Sequence, residues 1–526
     1  MDTVSLSHLS TETLLLICGH FCLHCQGEYD DDWDAAPLRK RQIRSEQQHD
    51  AKSWYSMDRD ALFSLTLVSR RFRDIAQPFL YHEFVLGYGD SWRSESYSWH
   101  RRLTSFLRTT ARRPELASLV KTVYIHPHML TSIDVDEARD VILEAAEARG
   151  IDLQDSWTRR IPILHYLESS YPAQLRKDFL TYFLRGLGEA PLDVKERLEK
   201  ALYKRRCEAR NWLATELVVM LISQLPNLDH LANESGYVFG GLHLPQSAVD
   251  QLITSLPLKR LDSGGDYVQF LRLAPGLTTL NLNGAGLVDP GTPLPNLETV
   301  HITEARIYEY NLMLFLSSCT RGLQTFAYEA GFYAPFEYSA EDDPDGTLTP
   351  PPVERHCSAF AMVHHLRTHK TLRSIHLDLS EQIDKFYGPM PVLSFSDFGS
   401  LENLFLNSML LYDRYRPEFE NNPDSEVLIR LIPDSIVSLT IKYNQYRSFK
   451  GNDHAERLKN GLLGLAEVNR RQPARFPRLR RVTSDLRIET EALRSIFKEV
   501  GVEFDSQVWS LNQVKRYLNK LTDFDL

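Results

Sequence analysis

Cysteine and histidine crowd one short stretch of the chain, where Cys18, His20, Cys22, His24 and Cys25 lie close together. Thiolate and imidazole are the ligands that zinc takes, and separations of two to four residues let neighbours converge on one ion. However, Cys18 and Cys22 continue the apolar face of a helix, and no second paired-ligand segment follows at finger-like spacing. Buried or capping cysteines, with no metal site, are therefore expected. A second cluster is His364, His365 and His369. A helix would bring His365 and His369 onto one face, but H-L-R-T-H lacks the glutamate that serves as general base in H-E-x-x-H. A surface or partly packed pair is the expectation. No G-x-S-x-G elbow exposes a serine nucleophile, and neither LDSGGDY nor LNLNGAGL supplies a phosphate-binding glycine loop. Acidic pairs are too scattered to nominate an acid–base centre. The chain is therefore read as no enzyme, with no catalytic residues and no cofactor. Its strongest basic stretch, NRRQPARFPRLRRVTS (Asn469 to Ser484), suits an acidic partner, a phosphate, or a soluble repeat boundary.

The 526 residues are 43% apolar and 25% charged, enough for a large core and too apolar for a disordered chain. The net charge of -10 gives no hint of the basic face that holding nucleic acid by its phosphates requires. Cys207, Cys319 and Cys357 complete a sparse set of six cysteines. With no apolar leader and no run of 18 apolar residues, they predict reduced thiols in a soluble chain, cytoplasmic or nuclear, with no membrane partner.

The elements that must position these groups begin at the N-terminus. In LSHLSTETLLLICGHF, Leu6, Leu9, Leu14, Ile17 and Phe21 recur at threes and fours behind a hydroxyl cap at Ser10. A charged insert spanning 26–57 follows, expected as a solvated loop. From Asp60, one apolar stripe (Leu62, Leu65, Val68, Phe72, Ile75) has Arg70, Arg71 and Arg73 on its flank. Pro78 should then stop or kink the helix, with FLYHEFVL packing on a neighbouring layer. Short helices of this length leave apolar surface for a partner or the next domain to cover.

Leu6 to about Phe84 resembles the F-box family. Leu9, Ser10 and Glu12 stand where that family has a leucine, a proline and a glutamate, and ALFSLTLVSRRFRDIAQPFLY (Ala61 to Tyr81) is similar to its closing segment. The resemblance implies a helical module that docks a Skp-type adaptor, and through it a cullin ubiquitin ligase, while the rest of the chain recruits a protein substrate. Carried over, Leu9, Leu14, Leu15, Ile17, Leu62, Leu65, Val68, Phe72 and Ile75 would include both adaptor-facing and internal positions.

Beyond Val120, strand-like L-x-x-L-x-L phrases recur. Their central residues are Leu231, Leu261, Leu280, Val300, Phe326, Ile375, Leu404 and Leu439, with Val482 a poorer match. The phrases alternate with helical segments such as YNLMLFLSSC, SAFAMVHHLRTH and ERLKNGLLGLAEVNR. Alternation within a strand and a returning helix after it make one repeating unit. The pattern resembles a degenerate leucine-rich repeat, with Asn283 and Asn407 at its signature asparagine. The expected fold is α/β: a helical F-box-like module at 1–86, then an irregular leucine-rich-repeat solenoid at 115–500 with a curved parallel sheet and outer helices. A helical excursion is expected at 136–220, a rim loop at 331–354, and a cap or tail at 501–526. The competing reading keeps the scaffold but makes it a non-catalytic interaction protein unrelated to ubiquitin transfer.

Overall fold

In the computed structural model, Ser10 caps the first helix, α1 (Thr11–Gly19), by accepting a hydrogen bond from the Thr13 amide at 3.2 Å. Capping satisfies one of the donors that a helix start leaves unpaired. The structure describes residues 6–26, 54–85, 101–125, 130, 133–153, 192–193, 196, 214, 216–233, 253, 255–264, 267–284, 290–305, 307–331, 357–379, 393–412, 423–443, 452–486 and 490–506. Cys207, nearly all of the 26–57 insert and the 331–354 loop, much of the 136–220 excursion and the end of the chain lie outside them.

The single stripe expected from Leu62 to Ile75 is two helices, α2 (Trp54–Val68) and α3 (Arg70–Tyr81). Between them Ser69 adopts extended backbone and accepts the Phe72 amide at 3.3 Å, which starts a new helix. Pro78 does not stop α3, which runs on to Tyr81. Its late position limits the cost, and the Arg59 guanidinium donates to the carbonyls of Phe79 and Leu80 at the helix end. Arg71 is likewise more than a flank. It donates to Ser7 and Leu9 carbonyls at 2.8 and 2.6 Å, tying the preceding turn to α3, while Arg73 donates to Thr66. Leu14, Cys18, Leu62, Phe72, Ile75 and Ala76 form the core of this module.

The chain divides into two units, Met1–Leu277 and Thr278–Leu526. In the first, four parallel strands follow in chain order: β1 (Glu83–Val85), β2 (Thr122–Ile125), β3 (His230–Asn233) and β4 (Arg260–Ser263). The sheet thus begins inside the segment assigned to the helical module, ahead of the expected start at 115. Phe84 on β1 stacks on Phe106 of α4 (Arg102–Arg112), with ring centroids 4.0 Å apart. Helix α5 (Pro114–Ala117) leads into β2, and α6 (Val135–Ala148) opens the helical excursion, of which 216–223 is also helical. Helix α7 (Val268–Leu273) follows β4.

The second unit carries eight parallel strands: β5 (Thr279–Asn283), β6 (Thr299–Ala305), β7 (Thr325–Ala330), β8 (Ser374–Asp378), β9 (Asn403–Asn407), β10 (Ser438–Lys442), β11 (Arg481–Ser484) and β12 (Glu503–Asp505). They too pair in chain order. Leu280, Val300, Phe326, Ile375, Leu404, Leu439, Val482 and Phe504 form one continuous register row. All are buried. Strand β12 extends the body past 500, into the segment expected to cap it. Helices α8 (Glu309–Ser318), α9 (Ala359–Leu366), α10 (Met409–Tyr412), α11 (Asp424–Leu431), α12 (Asn452–Arg471) and α13 (Thr490–Glu499) occupy the connections. The result is an α/β protein whose strands, among the described residues, are all parallel.

Helix α12 approaches α11 closely at Gly464, where an added Cβ would collide with Ser425 backbone, its Cα only 2.8 Å away. Helix propensity alone favours alanine by about 1 kcal/mol, but backbone cannot yield as a flexible side chain can. Gly464→Ala should therefore destabilise the second unit by about 1–3 kcal/mol. The midpoint of urea unfolding would show it, and an unchanged or raised midpoint would contradict the close approach.

Candidate functional site

The N-terminal module exposes more apolar surface than its own core accounts for. On α2, Leu62 is fully buried, yet Phe63, Leu67 and Val68 are 54%, 65% and 64% exposed, as is Met57 nearby. Leu16 on α1 is 71% exposed, and Leu6 and Leu15 are also open. Isolated exposed leucines are ordinary, but a concentration on two helices that share one core marks surface suited to a partner.

The structure sorts the nine residues carried over from the family. Leu14, Leu62, Phe72 and Ile75 are buried in the core, and Leu9, Ile17 and Leu65 pack against it half-buried. Leu15 and Val68 face outward. Leu16, Phe63 and Leu67 lie outside those nine, because apolar periodicity marks the buried face of a helix and carries no signal for exposed neighbours.

A second feature joins Cys22, His24, Cys25 and His82, where the turn after α1 meets the start of β1. One ligand-type atom from each lies within 4.8 Å of the others. His82 Nδ1 is 3.7 Å from Cys22 Sγ and 3.3 Å from Cys25 Sγ, and His24 Nδ1 is 3.9 Å from Cys25 Sγ. Helix α1 ends at Gly19, so Cys22 does not continue it as expected; it turns back, fully buried, towards β1. Buried Glu83 fixes this turn: its carboxylate accepts the Leu23 and His24 amides at 3.4 and 3.1 Å and lies 3.6 Å from Arg59. The bond between the thiols, then burial, pushes the Cys22 thiol up, while that same bond holds the Cys25 thiol below its ordinary value. Sequence reasoning missed His82 because 57 residues separate it from Cys25. The only local signal is its place just after the third helix.

The other histidines do not converge. Helix α9 stops at Leu366, which breaks the i,i+4 relation; His365 lies 3.4 Å from Glu309, whereas His369 is buried. Burial holds His369 below its ordinary 6.5, against a smaller opposing effect of the Leu316 backbone. Because the folded value lies below the unfolded one, the unfolded chain binds the extra proton first. Stability is fully present above 6.5 and falls as pH drops from there towards the depressed value. His369→Gln should flatten urea-midpoint stability across that window. A slope identical to that of the parent chain would contradict the assignment.

Most arginines of the Arg-rich stretch are paired with nearby carboxylates. Arg470 and Arg471 pair with Glu467, Arg475 with Asp434, Arg478 with Glu402 and Arg481 with Glu503. Exposed pairs of this kind contribute roughly 0–1 kcal/mol each. They spend most of the positive charge that a phosphate would need.

On the side of β5–β12 opposite the apolar row, the strands carry polar residues in register, of which Asn281, His301, Glu329 and Asp378 are buried. Asn283 donates to Thr303 at 2.9 Å, and His376 lies 2.9 Å from Glu329 and stacks on Phe405. Asn407 Oδ1 accepts the Met409 amide at 2.8 Å, turning the chain out of β9. Thr440, Lys442, Arg481 and Glu503 are less buried on that side.

Fold and surface together define an α/β protein of parallel strand–helix units behind a helical module with an open apolar face. Comparison with known proteins finds no family model that matches the chain and no matching curated protein. No helix among the described residues is long and apolar enough to cross a membrane.

Proposed function

We propose that the chain is a substrate-recognition adaptor of a Skp–cullin–F-box ubiquitin ligase. Its N-terminal module docks a Skp-type protein, and its leucine-rich-repeat body holds the target. The observation that carries the reading is the exposed apolar surface of Leu15, Leu16, Phe63, Leu67 and Val68, on the segment that resembles the F-box. Covering that surface with a complementary partner removes it from water, at roughly 25 cal/mol per Å² of apolar area. Ubiquitin transfer is then the work of other subunits, and this chain contributes proximity and orientation of substrate lysines.

Support for the repeat body comes from the buried leucine positions of successive L-x-x-L-x-L phrases. Leu277, Leu280 and Leu282 on one unit correspond to Leu401, Leu404 and Leu406 on another, and all six are buried. The side chain of Asn407 also satisfies the backbone as a signature asparagine would. The target is expected on the concave face or rim loops within 220–450, with the rim loops favoured because the polar strand positions Asn281, His301, Glu329 and Asp378 are buried. The 331–354 loop, outside the described residues, remains the first segment to delete in testing it. Titration of the purified full-length chain with the host's Skp-type adaptor tests the proposal, with saturable binding of about one adaptor per chain expected. A folded chain that binds none would sink it, leaving a scaffold unrelated to ubiquitin transfer.

A further inference from the structure

We propose that Cys22, His24, Cys25 and His82 form a structural zinc site that fastens the turn after α1 to the first rung of the sheet. The inference stands apart from the adaptor reading. Two sulphurs and two imidazole nitrogens make an S₂N₂ donor set, for which tetrahedral zinc is the usual occupant. Cys22 and Cys25 also have the C-x₂-C separation by which a tight turn presents two thiolates to one ion.

Distances support convergence on a single ion. Zinc–sulphur bonds of about 2.3 Å and zinc–nitrogen bonds of about 2.0–2.1 Å, at tetrahedral angles, put ligand atoms roughly 3.3–3.8 Å apart. Three of the six separations, 3.3, 3.7 and 3.9 Å, fall on or next to that range, and all six lie within 4.8 Å, so side-chain rotations close the shell. Cys319 differs: its Sγ donates to the Phe315 carbonyl of the preceding helix, and burial pushes that thiol up to about 12.

The surroundings hold the ligands in place before any ion arrives. Glu83 anchors the Leu23 and His24 amides. The Phe79 and His24 rings flank His82, at 5.3 and 5.4 Å between centroids. Such supporting contacts orient ligands and raise metal affinity. Cys22 is buried while Cys25 is exposed, which leaves an entry path. On binding, both thiols release their protons to solvent and the imidazoles coordinate as neutral bases. All four positions are filled by protein, which marks a structural rather than a catalytic centre. The His82 carbonyl accepts the Lys121 and Thr122 amides at 2.7 and 3.1 Å, so the ion would stiffen β1 where its pairing with β2 begins.

The test uses the untagged full-length chain, stripped of metal under reducing conditions and titrated with Co(II), then Zn(II). About one equivalent of Co(II) should produce thiolate charge-transfer and tetrahedral d–d absorption, and about one equivalent of Zn(II) should bleach it. Cys25→Ser and His82→Ala should each weaken Co(II) binding at least tenfold, while His364→Ala, outside the cluster, leaves it unchanged. Stripped wild-type chain that remains folded by circular dichroism yet gives no such bands would overturn the proposal, whatever the variants do. So would bands that survive undiminished in both variants.

Discussion

Replacing Leu67 and Val68 together with aspartate should weaken capture of the Skp-type adaptor roughly 100-fold or more while leaving the chain folded. Both side chains are largely exposed at the end of α2, so the free protein loses little packing. In the complex the new carboxylates would enter an apolar contact without partners. An unpaired charge buried in an interface costs about 2–5 kcal/mol, and each 1.4 kcal/mol is a factor of ten in affinity. Leu62→Asp is the instructive contrast: Leu62 is fully buried, so its loss would unfold the module and report stability rather than contact. Binding titration paired with thermal unfolding separates the two. A folded Leu67→Asp/Val68→Asp chain of undiminished affinity would place the adaptor elsewhere.

The second large effect lies in the sheet. Phe326 is fully buried on β7, in register with Val300 on β6 and Ile375 on β8. Truncation removes the ring and leaves a cavity that neighbouring strands, pinned by their ladders, cannot collapse. Phe326→Ala should cost about 4 kcal/mol, lowering the unfolding temperature of its unit by roughly 8–16 °C. Tyr310→Ala, at a residue 66% exposed, should change stability by no more than about 0.5 kcal/mol. Comparable shifts for the two would mean that the row is not the core of the second unit.

The strands of the body were legible because period-two alternation survives in each phrase even where repeat length varies. The central residues chosen from sequence, Leu280 to Val482, stand in one register row. Strands β1 and β12 were not legible. Each is three residues long, EFV and EFD, and each owes its conformation to pairing with β2 or β11 rather than to a local pattern. The break between α2 and α3 was hidden for a related reason. The apolar stripe runs through Ser69 unchanged, and only the serine's capping bond ends one helix and begins the next.

The candidate site divides along the same line. Helical spacing finds the residues that build the module's core, such as Leu14, Leu62 and Phe72, because a core imposes periodicity. It passes over Leu16 and Leu67, whose exposure is visible only once the buried face is known. The meeting of Cys22 and Cys25 with His82 depends on the path between α1 and β1, and Glu83 fixes that path through backbone amides that carry no sequence signature.

The central claim is that the exposed apolar face of the N-terminal module is where the adaptor docks. Hydrogen–deuterium exchange of the full-length chain, with and without purified Skp-type adaptor, tests it most directly. Protection on binding should appear across 11–19 and 57–68 and leave β5–β12 unchanged. Protection confined to the strands of the second unit, or none at adaptor concentrations that saturate a known F-box protein, would contradict it.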